Sequence, residues 1–446
     1  MYLNFTLIFP FVASLFLIWL PEKLRLGFSL SVAAVFLLFN GFLAYAGCRY
    51  QTFSFDKRLI SGLNISFSAD GYSIFMGLFL WLIAFLLIAC IGSAKGRESS
   101  LNYAGIIFSC ALTQAAFFTS DILLLFLFTA AQVLSLANYN RRLSKGFIVS
   151  LIGLVLFLTA MVFIYINFSS FRLESLRGGL INNWLAFLLL GSILLLPGQS
   201  VSAAIEDPLS KSGLRIMLAL ALSLYLFVRL LCLLFISGGL FLDVTLILAV
   251  VIILLAAFLA IAQNSLKKIL VFAVLSQAGF LILAFCQSNI ASFRIALLYL
   301  FSQGLGLSGL FLCAALIERA AGSDDINDCS GFFKSMPYTG IGFLLCAFSI
   351  IAIPPFLGFW PKLFTTMSAV REGHIAIELF AISGAFLTLF YLMRAFNKIF
   401  LGELKVNGVE ERKSLILWIA FGLGILSLFL GFAVKLPYNF IEALIR

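Results

Sequence analysis

The feature that most constrains this chain is a succession of long apolar runs, each close to the roughly 20 residues that cross a bilayer as a helix. The runs are continuous, whereas a membrane β-barrel requires alternating apolar and polar residues. Of the 446 residues, 63% are hydrophobic and only 11% are charged. Soluble globular domains do not have this composition. The sequence therefore predicts an all-α polytopic membrane protein.

The apolar runs define about fourteen transmembrane spans. The twelfth is too long for one straight crossing, and Pro354 and Pro355 interrupt it, since proline removes a backbone donor. No basic residue precedes the first span, so we expect no cleavable signal peptide. The predicted spans are 2–20, 27–47, 72–92, 102–119, 121–139, 147–168, 183–205, 213–236, 240–262, 267–287, 291–317, 336–368, 374–400 and 412–435.

Basic residues concentrate in alternate loops, which predicts the orientation. The richer loops hold Lys23, Arg25, Lys95, Arg97, Arg141, Arg142, Lys145, Lys211, Arg215, Lys267, Lys268, Lys334, Lys398, Lys405, Arg412 and Lys413. The opposite loops hold Arg49, Lys57, Arg58, Arg172, Arg177 and Arg371. The richer side should be cytoplasmic, which places both termini outside. The net charge of +10 is thus spread over short loops, and we expect no nucleic-acid partner.

The sequence offers little for a metal or a cofactor. The eight cysteines are scattered without a CxxC pair, and His374 is the single histidine, so no metal or haem site is expected. The run Gly304–Gly309 formally matches GxGxxG, but it lies in the middle of a span and favours close helix packing over nucleotide binding. No polar stretch is long enough to form a soluble domain. We predict no cofactor and no covalent catalysis by this chain itself.

Lys362 is the first candidate functional residue. It follows Pro354, Pro355 and Gly358 inside the twelfth span. A lysine at membrane depth costs roughly 2.5–3.5 kcal/mol on insertion scales. A broken helix at that depth is tolerated only where protein or a watery cavity surrounds it. The combination predicts an ion path; the alternative is that the helix ends early and Lys362 reaches an interface.

Three segments carry a resemblance to one family. Residues 263–280, QNSLKKILVFAVLSQAGF, resemble the family pattern Q-x-D-x-K-R-x-L-A-Y-S-S-I-S-H-M-G-Y. Met336-Pro337 followed by IPPFLGFWPK at 353–362 is similar to M-P…G-x-P-P-x-x-G-F-x-x-K, and ADGYS at 69–73 resembles D-G-L-S. These are motifs of the antiporter-like subunits of respiratory complex I, with related forms in Mrp cation/proton antiporters and membrane-bound hydrogenases. The motifs keep their order along the chain.

The resemblance implies a fold of two inverted five-helix repeats, each with one broken helix at a central site. The broken helices are then the seventh, near Gly191–Pro197, and the twelfth, near Pro354 and Pro355. The whole chain, 1–446, forms a single membrane domain. Residues 1–101 are helices 1–3, 102–236 the first repeat, 240–400 the second repeat and 401–446 the C-terminal helix.

The resemblance also implies a relay of buried charges across the middle of the membrane. Most relay positions fall on neutral residues here, which hydrogen bond but carry no charge at neutral pH. The polar residues at these positions are Gln132, Ser192, Gln199, Gln277 and Gln303, and two further positions fall on apolar residues near Leu220 or Ala221 and at Leu307. Lys362 remains, with Lys267 and Arg394 as additional relay candidates.

Structural interpretations stand beside these functional ones. Lys267, Lys268 and Arg394 are also placed to be anchors at the membrane surface. Asp70 is expected to cap the third helix, and the pair Glu206 and Asp207 fits a loop followed by a helix start. Gln132 and Gln303 can serve simply to hold helices together through hydrogen bonds.

The sequence thus predicts a proton- or cation-translocating antiporter-like subunit with a largely neutralised relay. Its partners would be the lipid bilayer and other membrane subunits of a complex I-like or Mrp-like assembly. Its place would be a bacterial-type inner membrane. Two alternatives are a structural paralogue that does not pump and an independent secondary transporter. If the assembly is an NADH:quinone oxidoreductase, its redox chemistry belongs to other polypeptides.

Overall fold

The computed structural model describes residues 2–50, 53–60, 63–92, 100–140, 145–173, 183–206, 209–232, 239–286, 290–403, 410–411 and 414–445. Some residues singled out in the sequence lie outside these ranges: Lys95, Arg97, Arg141, Arg142, Arg177, Asp207, Lys405, Arg412 and Lys413.

Helices make up nearly all of the described chain. They are α1 (Tyr2–Trp19), α2 (Glu22–Tyr50), α3 (Gly71–Gly92), α4 (Ser100–Phe118), α5 (Ile122–Asn140), α6 (Lys145–Phe168), α7 (Asn183–Leu195), α8 (Gly198–Glu206), α9 (Leu209–Leu226), α10 (Leu240–Ala262), α11 (Leu266–Phe285), α12 (Ile290–Ala321), α13 (Pro337–Ile351), α14 (Phe359–Arg371), α15 (Ile375–Phe400), α16 (Leu415–Phe432) and α17 (Lys435–Ile445). A π-helical segment, Phe227–Cys232, continues α9.

The helices confirm a polytopic helical membrane protein. Within the described ranges, nine helices are long and apolar enough to cross a membrane. Shorter apolar helices of 10–17 residues occur at Phe5–Trp19, Tyr103–Phe118, Ile122–Ser135, Leu218–Leu230 and Pro337–Ile351.

One hairpin departs from the all-α prediction. Strands β1 (Phe53–Ile60) and β2 (Leu63–Ala69) pair antiparallel, with Phe55 opposite Phe67. Phe, Ser, Phe and Asp alternate at 53–56, and this period of two is typical of a strand. The apolar runs on either side concealed a signal that was present in the sequence.

The contacts divide the chain into two compact units. The first unit comprises Met1–Ala203, Arg215–Phe241 and Glu442–Arg446. Its core includes Trp81 of α3, which stacks on Phe36 at 4.6 Å between ring centroids. The Trp81 indole donates to Gln114 Oε1 at 2.9 Å, and Gln114 donates to Asn40 Oδ1 at 3.1 Å. A chain of buried polar partners therefore ties α2, α3 and α4 together.

The second unit comprises Ala204–Leu214 and Leu242–Ile441. Its α12 contacts α11, α13, α14 and α16. A Cβ at Gly306 would lie 2.6 Å from the Ile350 side chain, and one at Gly309 would lie 2.3 Å from Cys346 Sγ. Gly306 and Gly309 of the GxGxxG match therefore allow α12 and α13 to approach closely, as the packing interpretation predicted.

Candidate functional site

The second unit contains a helix break between α13 and α14. Pro354 and Pro355 have no N–H, so the carbonyls of Ile350 and Ile351 lose their usual helical donors. Ala352 adopts a left-handed conformation with φ of 74° and closes α13. The break thus leaves main-chain acceptors exposed inside an apolar segment, where unsatisfied groups are costly.

Gly358 lets the two halves of the break approach each other. It is the N-cap residue of α14, and a Cβ at this position would lie only 1.9 Å from the Ser349 carbonyl oxygen. The Ser349 hydroxyl is also fixed, by a 2.7 Å hydrogen bond to Ser427 of α16. Glycine is therefore required here because of close approach.

Lys362 occupies the break. Its Nζ donates to the Ile350 carbonyl oxygen at 2.9 Å and lies 4.6 Å from the centroid of the Phe280 ring. A cation over an aromatic face gains roughly 0.5–2 kcal/mol. No carboxylate among the described residues pairs with this ammonium group. The lysine therefore satisfies a carbonyl that the prolines left without a donor.

Buried neutral polar side chains lie on α11, the helix that carries Phe280, and on the adjacent α12. Gln277, one turn before Phe280, accepts a 2.6 Å hydrogen bond from the Tyr299 hydroxyl. Gln303, one turn after Tyr299, is buried, and neither its amide nitrogen nor its oxygen has a partner among the described residues. The Gln277 nitrogen is likewise without one. Buried amides of this kind normally hold ordered water, so the arrangement suits a hydrated path.

Glu378 is a buried acid that the sequence interpretation missed. It lies in the first turn of α15 and is only 4% exposed. Its Oε1 is hydrogen bonded to the Thr366 hydroxyl, and its Oε2 has no partner among the described residues. The signal was available, because an acid inside the apolar run 375–382 is as costly as a lysine there.

Arg394 and Lys267 lie at the connection between α10 and α11. Arg394 donates to the Ile261 carbonyl, to the Gln263 carbonyl at 3.2 Å and to Asn264 Oδ1 at 2.8 Å. Carbonyls at a helix C-terminus favour a cation. Lys267, in the first turn of α11, is 9% exposed. The hydrogen bonds of Arg394 favour its interpretation as an anchor and do not bring it to Lys362.

In the first unit, Gln132 and Gln199 line one small cavity of about 20 Å³ together with Thr129, Ser200 and Ser223. Gln132 donates to Ser109 Oγ at 2.8 Å, while the side-chain oxygens of both glutamines have no partner in the described chain. The space holds about one water molecule. Ser192 is not among the lining residues; its hydroxyl donates to its own helix at Leu189.

Pro197 breaks the helix of this unit between α7 and α8. Ser150 of α6 bridges the break: its hydroxyl donates to the Leu196 carbonyl at 2.8 Å and accepts from the Gln199 N–H at 2.9 Å. This break is closed by a neutral side chain from a neighbouring helix.

A charged pair also lies in the first unit. Asp70 caps α3 as predicted, accepting from the Ser73 N–H at 2.9 Å and from its hydroxyl at 2.7 Å. Its other oxygen pairs with Arg229, which is 7% exposed on the π-helical segment. Burial alone would raise the pKa of Asp70, but Arg229 and the Ser73 hydrogen bonds hold it below its usual value. Arg229 was missed, although it stands alone in an apolar run.

Comparison with known proteins identifies the family and the fold. The family described as NADH:quinone oxidoreductase/Mrp antiporter, TM, matches residues 117–388, and the chain belongs to this family. A subunit of the Na(+)/H(+) antiporter of Bacillus subtilis (strain 168) is 24% identical over 460 aligned positions, covering 94% of this chain and 93% of the relative. The family resemblance drawn from the motifs is thereby confirmed.

Solved structures show the same fold. A chain in the structure of the Mrp complex from Dietzia sp. DQ12-45-1b superposes with a TM-score of 0.87 at 18% identity, covering 99% of this chain and 96% of that chain. A chain of respiratory complex I from Thermus thermophilus with bound NADH gives 0.83 at 22% identity, covering 100% and 99%. Both of these structures are of membrane complexes.

Proposed function

We propose that this chain is a proton- or cation-translocating antiporter-like subunit of a multisubunit membrane assembly of the complex I or Mrp type. Lys362 is its titratable group at the centre of the membrane. The observation that carries the proposal is the hydrogen bond from Lys362 Nζ to the Ile350 carbonyl, at a helix break made by two prolines. The relatives are named as part of an antiporter and as parts of membrane complexes.

The geometry supplies a way to load and release a proton. Burial favours the neutral amine, whereas the Ile350 carbonyl and the Phe280 ring favour the ammonium form. A movement at the break that withdraws the carbonyl therefore releases a proton, and its return takes one up. The Gln277 amide nitrogen and the Gln303 amide, which have no partner among the described residues, supply further hydrogen-bonding groups on α11 and α12.

The proposal includes a finer description of the membrane fold. It has about fourteen spans, with inverted repeats at 102–236 and 240–400 and both termini outside the cytoplasm of a bacterial-type inner membrane. The nine long helices, the shorter apolar helices and the two breaks within the described ranges support it.

The test is ion translocation by the intact assembly in sealed vesicles. Lys362→Ala should abolish translocation while the assembly still forms, because no charged group then remains at the break. Lys334→Ala, which changes an exposed lysine of the same unit, is the matched control and should leave translocation unchanged. Normal coupling and stoichiometry in Lys362→Ala would overturn the proposal.

A second candidate function is a structural subunit that does not pump. It is favoured by the neutral residues Gln132, Ser192, Gln199, Gln277 and Gln303 at the relay positions. Under it, Lys362→Ala translocates normally, and deletion of the whole chain prevents assembly. An independent secondary transporter, by contrast, would move ions when reconstituted alone.

A further inference from the structure

The strongest unexplained group in the second unit is the carboxyl of Glu378. It is buried, and one of its oxygens has no partner among the described residues. No lysine or arginine in the described chain pairs with it. An ionised carboxylate in such surroundings is strongly disfavoured, so a buried acid either finds a cation or takes up a proton.

The hydrogens around Thr366 indicate which of these occurs. The Thr366 hydroxyl has one hydrogen but two oxygen neighbours that could accept it, the Lys362 carbonyl at 3.0 Å and Glu378 Oε1. Both contacts are hydrogen bonds only when Glu378 is a carboxylic acid. The acid then donates to Thr366, and Thr366 donates to the Lys362 carbonyl.

Helix capping does not account for this acid. A capping side chain accepts from backbone N–H groups in the first turn, whereas the contact of Glu378 is with a hydroxyl on another helix. The N-cap position itself belongs to His374, which makes no side-chain cap bond. Glu378 is therefore directed toward α14, where Lys362 and Thr366 lie four residues apart and thus on one helix face.

We propose that Glu378 is a second proton-holding residue of this chain, and that it accepts the proton that Lys362 releases. The proposal rests on the proposed function of Lys362. One helical turn, about 5.4 Å, separates Lys362 from Thr366. The lysine side chain is long enough for its ammonium group to reach the Thr366 hydroxyl once it leaves the Ile350 carbonyl. Glu378, which is a neutral acid in the arrangement described here, first loses its own proton to water. The Lys362 proton then leaves Nζ as the neutral amine forms and reaches the resulting Glu378 carboxylate directly or through the Thr366 hydroxyl. It then leaves for water at the α14–α15 turn, residues 372–374.

Other groups near Glu378 do not replace it in this role. The Tyr299 phenol interacts electrostatically with Glu378, but its hydroxyl hydrogen is engaged with Gln277. Thr366 passes a proton on without storing a charge. Glu378 differs from both, because a carboxyl group can alternate between a neutral acid and an anion.

The test uses the intact assembly in vesicles with two readouts. Glu378→Gln should abolish translocation and remove a carboxylic-acid C=O band from the infrared difference spectrum. Thr366→Val should shift that band, because the acid loses its hydrogen-bond partner, and Thr366→Ser should restore it. Glu403→Gln, which changes an exposed acid of the same unit, is the control and should change neither readout.

The outcomes separate this inference from the proposed function. If Lys362→Ala abolishes translocation but Glu378→Gln translocates normally, the role of Glu378 is wrong and that of Lys362 stands. If both variants translocate normally, the proposed function itself fails. If Glu378→Gln does not assemble, the infrared comparison of wild type with Thr366→Val decides, and an unshifted band overturns the inference.

Discussion

Three ionisable residues of this chain lie in apolar surroundings, and each has a different kind of hydrogen-bond partner. Lys362 binds a carbonyl, Glu378 a hydroxyl and Arg229 a carboxylate. An isolated charge in an apolar run is visible in the sequence, but its partner is set by tertiary packing. The sequence therefore marks Lys362 as unusual, but it does not reveal the pairing of Asp70 with Arg229.

Removal of one partner of the Asp70–Arg229 pair should be strongly destabilising. Arg229→Met leaves Asp70 without its counter-charge and should cost about 3–5 kcal/mol of unfolding free energy. Asp70→Asn combined with Arg229→Met should recover much of this loss, because no unpaired charge remains. Thermal unfolding of the purified protein in detergent measures both variants. Glu22→Gln, which removes the exposed acid paired with Arg25, should change stability by less than about 1 kcal/mol.

The Asp70–Arg229 pair should also make the stability of the folded protein depend on pH. The pKa of Asp70 in the folded protein is lower than its usual value, so its contribution is fully present above the unfolded pKa of about 3.9. It is lost as the pH falls through the folded pKa. Wild type should therefore exceed Asp70→Asn in stability at neutral pH, and the two should converge in acid. A constant difference over this range would contradict the assigned pairing.

The predicted relay positions show what the sequence does not reveal about single residues. Gln132 and Gln199 share one cavity, whereas Ser192, assigned from spacing before Pro197, bonds to its own helix. Spacing along a helix fixes the position of a residue but not its neighbours once the helix is broken. The same limit applies to Gln277, whose partner Tyr299 was not anticipated.

Among the helices and strands, the two breaks were the most predictable features. Proline cannot donate, so Pro197 and the Pro354–Pro355 pair mark their own positions. What closes each break was not predictable. Ser150 comes from the neighbouring helix α6, and the hydrogen bond from Lys362 to the Ile350 carbonyl depends on how the chain folds back at the break. The β1–β2 hairpin was overlooked, since a short alternating pattern is easily hidden between long apolar runs.

Gly358 should tolerate no side chain. Gly358→Ala places a Cβ 1.9 Å from the Ser349 carbonyl oxygen, and since that atom is backbone, the α13–α14 connection must move. We expect a loss of at least about 3 kcal/mol, above the usual cost of overpacking, measured as a lower Tm in detergent. Gly422→Ala in α16 is the control, because nothing lies within 4 Å of its Cβ position, and it should be neutral or stabilising. Equal behaviour of the two variants would contradict this packing.

For the whole molecule, the distribution of basic loops predicts which surface faces the cytoplasm. Asp328→Cys, beside the basic Lys334 loop, should react with an impermeant thiol reagent only in inverted vesicles. Glu372→Cys, in the α14–α15 turn, should react only in right-side-out vesicles. The wild-type chain gives the background, since its described free cysteines are buried. The opposite labelling pattern would reverse the orientation and with it the exit side assigned to Glu378.

The class of the whole molecule followed from composition, and its family from a few ordered motifs. Hydrophobic run length determines that a chain crosses the membrane many times, because the bilayer imposes that length. The number of crossings and the inverted repeats stay predictions. The assignment of neutral residues to the relay positions also stays a prediction, because family membership alone does not test it.

The two helix breaks differ in the side chain that closes them. Ser150 closes the first break with a short side chain, whose hydroxyl makes hydrogen bonds to both sides of the break. Lys362 closes the second break with a long side chain. Under the proposed function, release of its proton is coupled to loss of the hydrogen bond that closes this break. Proton transfer would then be coupled to a conformational change at the α13–α14 break. A movement of neighbouring helices that opens this break would cause Lys362 to release its proton.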